Sequence, residues 1–141
     1  MKFHLGMILA ACCTSPLSLA TELCLHYMGD PVTLSGKVTK RTFYGPPGYG
    51  ENPDIDSRET QGVLLLSEPI CVDENPRDYD EAEKNQLEVT LVPLGNTNLK
   101  GYIGKQVTVQ GKLFHANTGH HHTPVLIEII RIEKSSSRRT Q

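Results

Sequence analysis

The sequence has no excess of positive charge. It contains 14 Lys and Arg residues against 16 Asp and Glu residues, a net charge of −2 with neutral histidines. Without Lys2, which lies in the predicted leader described below, the net charge becomes −3. Proteins that bind the phosphate backbone of nucleic acids use a basic face, and anionic membrane surfaces attract the same residue types. The composition therefore argues against a nucleic-acid partner and against an anionic membrane surface.

The N-terminal apolar run is too short to span a bilayer as a helix. It extends from Leu5 to Cys13, follows Lys2, and is succeeded by the small-x-small pattern of residues 18–20 (SLA). This arrangement predicts a signal peptide over residues 1–20 and a mature, periplasmic or secreted chain that begins at Thr21. An alternative remains open, because residues 9–12 (LAAC) resemble a lipoprotein box that would anchor the protein through a lipid on Cys12.

Few cysteines remain after the leader is removed. Two cysteines, Cys24 and Cys71, follow the predicted leader. An exported chain with an even number of cysteines is expected to pair them. In the chain-entropy model, closing a loop of about 47 residues stabilises the fold by about 4 kcal/mol. The sequence therefore predicts a Cys24–Cys71 disulfide, with two free buried thiols as the alternative.

Five segments have the composition and alternation of strands. A short helix with Leu99, Tyr102 and Ile103 at helical spacing is predicted over residues 96–104. Gly36 and Gly111 lie inside predicted strands, where a small barrel has to bend. The predicted strands cover residues 32–44, 62–67 with an extension over 69–72, 87–92, 105–115 and 125–132.

The order of these elements predicts an all-β fold with one short helix, a small five-stranded OB-like Greek-key barrel. A small open β-sandwich or an SH3-like barrel is the alternative. A single domain is expected over residues 21–133, followed by a disordered polar tail over residues 134–141. The acidic segment 73–86 lacks the ligand spacing of a calcium loop, and Asn75-Pro76 in it is expected to start a short helix.

Two connections have unusual compositions. Loop 44–61 is rich in Gly and Pro and offers Tyr44 and Tyr49, with Phe43 next to it. The histidine loop, residues 115–123, carries four histidines. Because the corresponding loops of an OB barrel flank its ligand face, we expect a binding site there. Its predicted residues are Phe43, Tyr44, Tyr49, His115, His120, His121 and His122.

The histidines also permit a metal site, because neutral imidazole binds zinc and copper. On an extended segment His120 and His122 point to the same side, and His115 across the hairpin would complete a set of three ligands. Carboxylates for such a site would come from the other loop, from Asp54, Asp56 or Glu59. A purely structural role for the histidines, packing and hydrogen bonding within a tight loop, is a third interpretation.

An enzymatic role has less support than a binding role. Ser67 and Thr118 are possible nucleophiles, but no pattern in the sequence pairs either of them with a histidine. Both cysteines that would remain are expected to be bonded. The sequence therefore favours a protein without catalytic activity.

Three segments resemble a known family: residues 42–49 (TFYGPPGY), 69–72 (PICV) and 113–125 (LFHANTGHHHTPV). They are similar to a bacterial family of exported proteins, domain of unknown function 4431, over about residues 32–132. The resemblance implies a bacterial, exported, single-domain protein and implies no activity. We therefore interpret the chain as an exported binding module that recognises a protein or small ligand through loop 44–61 and the histidine loop. Zinc or copper binding by the histidine loop is the alternative.

Overall fold

The structure is a computed structural model, and it describes residues 23–135. The predicted signal peptide, the lipoprotein box at Cys12 and all but the first two residues of the predicted tail lie outside this range. The described elements are β1 (Leu25–His26), β2 (Val32–Tyr44), β3 (Arg58–Asp73), β4 (Glu83–Pro93), a 3-10 helix (Leu99–Tyr102), β5 (Gln106–His115) and β6 (Val125–Lys134).

Strands β2 to β6 form a closed barrel. β2 pairs antiparallel with both β3 and β5, β3 pairs antiparallel with β4, and β5 pairs antiparallel with β6. The parallel pairing of β4 with β6 closes the circle. The prediction of a small five-stranded all-β barrel is therefore confirmed, and its closure excludes an open sandwich.

The barrel interior is filled by the apolar residues that alternate along each strand. In β2 the buried Leu34 and Val38 alternate with exposed polar residues, and in β5 the buried Val107 and Val109 alternate with polar residues that are exposed or half-buried. Burying a Val or Leu side chain contributes about 1.5–3 kcal/mol. This alternation is why the strand segments could be recognised in the sequence.

Glycines in β2 and β5 allow the strands to approach closely. Gly36 pairs on one side with Leu66 and on the other with Val107, and a Cβ atom here would overlap the carbonyl oxygen of Leu65. At Gly111 the register with β6 shifts, so that Ile130 has no partner residue in β5. This bulge explains why neither face of β6 reads as purely polar in the sequence.

Some predicted boundaries were wrong. Residues 58–61 belong to β3, because they pair with residues 41–44 of β2; polar side chains on both faces hid this part of the strand. The helix predicted at Asn75-Pro76 is absent, since the Asn75 side chain bonds to Asp78 within a tight turn closed by backbone bonds between Asn75 and Asp80. The helix predicted over residues 96–104 is reduced to one 3-10 turn, and β6 continues through Lys134.

A disulfide joins Cys24 to Cys71, as the sequence predicted. It lies beside the short parallel pairing of β1 with the end of β3, where Leu25 is opposite Val72. Disulfides are typical of oxidising compartments, which agrees with a location outside the cytoplasm. Within residues 23–135, no helix has the length and apolar character that crossing a bilayer requires.

Removing the disulfide should lower the free energy of unfolding. For Cys24→Ser we expect a loss of roughly 2–5 kcal/mol in urea denaturation, because the unfolded chain regains the freedom of a loop of about 47 residues. Reducing agent should destabilise the wild-type protein by the same amount and leave the variant unchanged. If reducing agent also destabilised the variant, a disulfide other than Cys24–Cys71 would have to account for the loss of stability.

Candidate functional site

The histidine loop is fastened to the outer wall of the barrel by Thr123. This residue is buried, its Oγ1 accepts a hydrogen bond of 3.0 Å from the backbone N–H of Thr90, and it lies 2.8 Å from Thr90 Oγ1. It also donates to the carbonyl oxygen of Val125 at 2.7 Å. Thr90 pairs in register with Val63 and Leu126, which point away from the barrel core and are nevertheless fully buried. The loop therefore covers a small second core on the outside of the barrel.

His121 packs onto this outer wall. Its ring meets the ring of Phe114 edge-to-face, with 5.5 Å between the centroids. The backbone N–H of Asn117 donates a hydrogen bond of 3.1 Å to its Nδ1 atom. Burial lowers the pKa of His121, and the neighbouring His120 and His122 lower it further when they are charged. His121 is therefore held in its neutral form.

Glu59 of β3 connects the histidine loop to the opposite hairpin. One carboxylate oxygen lies 2.5 Å from Nδ1 of His120, and the other lies 2.8 Å from Nε2 of His122. The hydrogen bond from His122 lowers the pKa of Glu59 below its ordinary value, and the bond from His120 adds to this effect against the opposing influence of burial. Gln61, two residues further along β3, donates to the carbonyl oxygen of His120 at 2.6 Å.

Two of the three predicted aromatic residues contact the histidine loop. Phe43 stacks on His122 with a centroid distance of 4.4 Å and an angle of 8° between the ring planes. Tyr49 meets His120 edge-on at 5.8 Å, and its ring lies so close to Gly119 that a Cβ atom there would be only 2.6 Å away. Tyr44 contacts Arg58 instead, whose guanidinium lies 3.7 Å from the centre of the Tyr44 ring.

The loop over residues 45–57 is held by its own aspartate. Asp56 is 7% exposed and accepts hydrogen bonds from the backbone N–H groups of Gly48, Gly50 and Asn52, at 2.7, 2.7 and 3.1 Å. Burial raises the pKa of Asp56, but these three donors outweigh it, and the net pKa is lowered. Asp56 is thus used inside the loop, and of the three predicted acids only Glu59 contacts the histidines.

His115 does not contact Glu59, the residue that His120 and His122 share. Its ring lies edge-on to the buried Tyr27 at 5.5 Å, and its Nε2 atom is 3.5 Å from a carboxylate oxygen of Glu83. Burial raises the pKa of Tyr27, and the nearby charges of Glu83 and Asp80 raise it further. In the described part of the chain, no three His, Cys, Asp or Glu side chains are grouped so as to hold a metal ion. The predicted ligand set His115, His120 and His122 is therefore not assembled.

An open groove of about 690 Å³ lies beside the histidine loop on the outer wall of β3 and β4. His120 and His121 form part of one side, and the segment before the 3-10 helix forms part of the other. Its other polar side chains are amides and hydroxyls, and none of its lining residues is Asp, Glu, Lys or Arg. Its polar side chains are those of Thr60, Gln61, Thr90, Asn96, Thr97, Asn98, His120 and His121.

Sequence reasoning missed the far side of this groove. The sequence predicts Asn96, Thr97 and Asn98 at the start of a helix, and only Asn98 has that role, as its side chain caps the 3-10 turn through Lys100 N. Thr60 and Gln61 fall within the predicted loop 44–61. Residues 58–61 are all polar, so no alternation in the sequence marks them as a strand, and only their pairing with β2 shows it.

Residues 86–133 match the model of a protein family described as Domain of unknown function (DUF4431). The matched region runs from β4 to β6 and contains the whole histidine loop, so it confirms the resemblance on its most specific segment. No curated protein matches the chain.

The Thr123 anchor should be measurable in stability. For Thr123→Val we expect the free energy of unfolding to fall by about 1–3 kcal/mol, because the buried Thr90 groups lose their partner. Thr118→Val, an exposed change in the same loop, is the control and should stay within about 0.5 kcal/mol of wild type. Equal effects of the two changes would contradict the proposed anchor.

The Glu59 contacts should make stability depend on pH. Because the pKa of Glu59 is lowered by folding, its ionised form stabilises the protein above the ordinary value of 4.5. That contribution is lost as the pH falls through the folded pKa. The stability difference between wild type and Glu59→Gln, measured by urea denaturation from pH 2 to 7, should therefore be present above the ordinary value of 4.5 and shrink as the pH falls below about 4. Exposed Glu51→Gln serves as the control, and a pH-independent difference for Glu59→Gln would refute the assignment.

Proposed function

We propose that this protein is an exported binding module that holds an uncharged, polar ligand in the groove beside the histidine loop. One observation carries the proposal: a concavity of about 690 Å³ has no formally charged side chain among its lining residues. Its polar lining groups are amides, hydroxyls and two imidazoles, and its apolar lining residues are Leu91, Val92, Pro93, Leu99 and Leu126. Its volume lies within the range of roughly 300–1,000 Å³ usual for small-molecule sites. The Cys24–Cys71 disulfide and the leader-like residues 1–20 support export to a periplasmic or extracellular location.

The position of the groove supports the same proposal. It lies on the outer wall formed by β3 and β4, the second and third strands of the barrel, next to the loop that joins its last two strands. This is the face that OB barrels use for ligands. The surrounding contacts of Glu59 and Gln61 hold the histidine loop in place, so the groove wall is formed before a ligand arrives.

Metal binding is the competing function, and one observation keeps it testable. His120 and His122 both direct a ring nitrogen to Glu59, and imidazole and carboxylate are zinc and copper ligands. His115, the third predicted ligand, instead contacts Tyr27 and Glu83. Elemental analysis of the purified protein decides between the functions. Stoichiometric zinc or copper that is lost in Glu59→Gln would favour the metal.

The groove can be tested with neutral probes. We expect maltotriose, chitotriose or the blocked peptide acetyl-Gly-Ser-Gly-amide to shift the backbone amide NMR signals of Thr60, Asn96 and His121 at millimolar concentration. Asn96→Trp, which places a large side chain in the groove, should abolish these shifts. Thr33→Trp, a change on an exposed residue of β2 outside the groove, is the matched control and should preserve them. If no probe shifts the groove signals, or if both variants behave alike, the proposal is wrong.

A further inference from the structure

The two imidazoles that line the groove are held in opposite tautomeric forms. His120 directs Nδ1 to the Glu59 carboxylate at 2.5 Å, and an ionised carboxylate only accepts hydrogen bonds. The proton of His120 therefore lies on Nδ1. In the neutral ring, Nε2 then carries the lone pair and is a hydrogen-bond acceptor.

His121 has the reverse arrangement. The backbone N–H of Asn117 donates to its Nδ1 atom at 3.1 Å, so Nδ1 carries the lone pair. The ring proton of the neutral imidazole must then lie on Nε2, which becomes a donor. Stacking edge-on against Phe114 fixes the orientation of this ring. His120 and His121 both line the groove, and their remaining ring nitrogens are one acceptor and one donor.

We propose that this donor and acceptor recognise neighbouring hydroxyl groups of a neutral carbohydrate, with His120 and His121 as its specificity-determining residues. This inference rests on the proposed function and names the ligand class of that groove. A sugar hydroxyl both donates and accepts, so two adjacent hydroxyls satisfy a donor–acceptor pair together. Asn96, Asn98 and Thr60 also line the groove. Asn98 Oδ1 already accepts from Lys100 N and Thr60 Oγ1 is bonded to Thr42 Oγ1, so the Asn96 amide and the Asn98 NH₂ group are the ones best suited to further hydroxyls.

The groove suits a carbohydrate better than a peptide. A peptide that adds to a sheet needs a strand with free backbone groups. At the groove, Thr90 of β4 is already paired with Val63 on one side and with Leu126 on the other. A charged ligand is also disfavoured, because the lining residues provide no Lys, Arg, Asp or Glu to neutralise it.

The tautomers can be measured without any ligand. Long-range ¹H–¹⁵N NMR spectra of the histidine rings at pH 8 should show His120 protonated on Nδ1 and His121 protonated on Nε2. Glu59→Gln should convert His120 to a mixture of tautomers, because a Gln amide can donate as well as accept, and should leave His121 unchanged. Protonation of the opposite nitrogen on either ring in the wild-type protein would overturn the inference.

Ligand class is tested with defined probes: maltotriose and chitotriose, the acidic sugar trigalacturonate, and acetyl-Gly-Ser-Gly-amide. We expect a neutral trisaccharide to bind best. His120→Phe and His121→Phe should each weaken the binding of this trisaccharide about tenfold or more. The amide NMR spectrum of each variant should remain that of a folded protein. His26→Phe, at an exposed histidine of β1, is the matched control and should bind like wild type.

The outcomes separate this inference from the proposed function. Preferred binding of the peptide or of trigalacturonate in the groove would refute the neutral-carbohydrate class and keep the binding module. Trisaccharide binding that is unchanged in both His→Phe variants would refute the roles of His120 and His121. The absence of groove shifts with every probe would overturn the inference and the proposed function together.

Discussion

The arrangement of the candidate site depends on one buried contact between loop and barrel, the bonding of Thr123 to Thr90. Because Thr123 accepts a hydrogen bond from the backbone N–H of Thr90, which pairs with the buried Val63 and Leu126, the histidine loop lies against the outer wall. From that position His120 and His122 reach Glu59, and His121 reaches Phe114. The side chains of this surface loop are thus held at defined positions beside a groove.

The charged side chains of Glu59 and Asp56 each bond to groups in a loop. Glu59 stays ionised because His122 and His120 donate to it, and His121 stays neutral because its partial burial and the charges of His120 and His122 lower its pKa. Asp56 performs a related task in the facing loop, where three backbone N–H groups hold its carboxylate. Both acids serve to order loops, which leaves the groove itself lined by uncharged groups and suited to an uncharged ligand.

The functional interpretation of the three consecutive histidines changes once their partners are known. In the sequence they resemble a metal-binding tract. In the structure, His121 turns to Phe114 and Asn117, while His120 and His122 share Glu59, and His115 belongs to a separate contact with Tyr27 and Glu83. The four rings therefore have three different sets of partners, and the motif provides several distinct contacts instead of one ligand set.

The sequence by itself determined the barrel and the disulfide. Alternating residues such as Leu34 and Val38 carry the strand period directly, and the two cysteines that follow the predicted leader allow only one pairing. Only the tertiary structure decided the site. Residues 58–61 become a strand because β2 lies beside them, and Glu59 meets His120 across 61 positions of sequence. Such contacts follow from barrel closure, a long-range constraint that no local pattern of residues records.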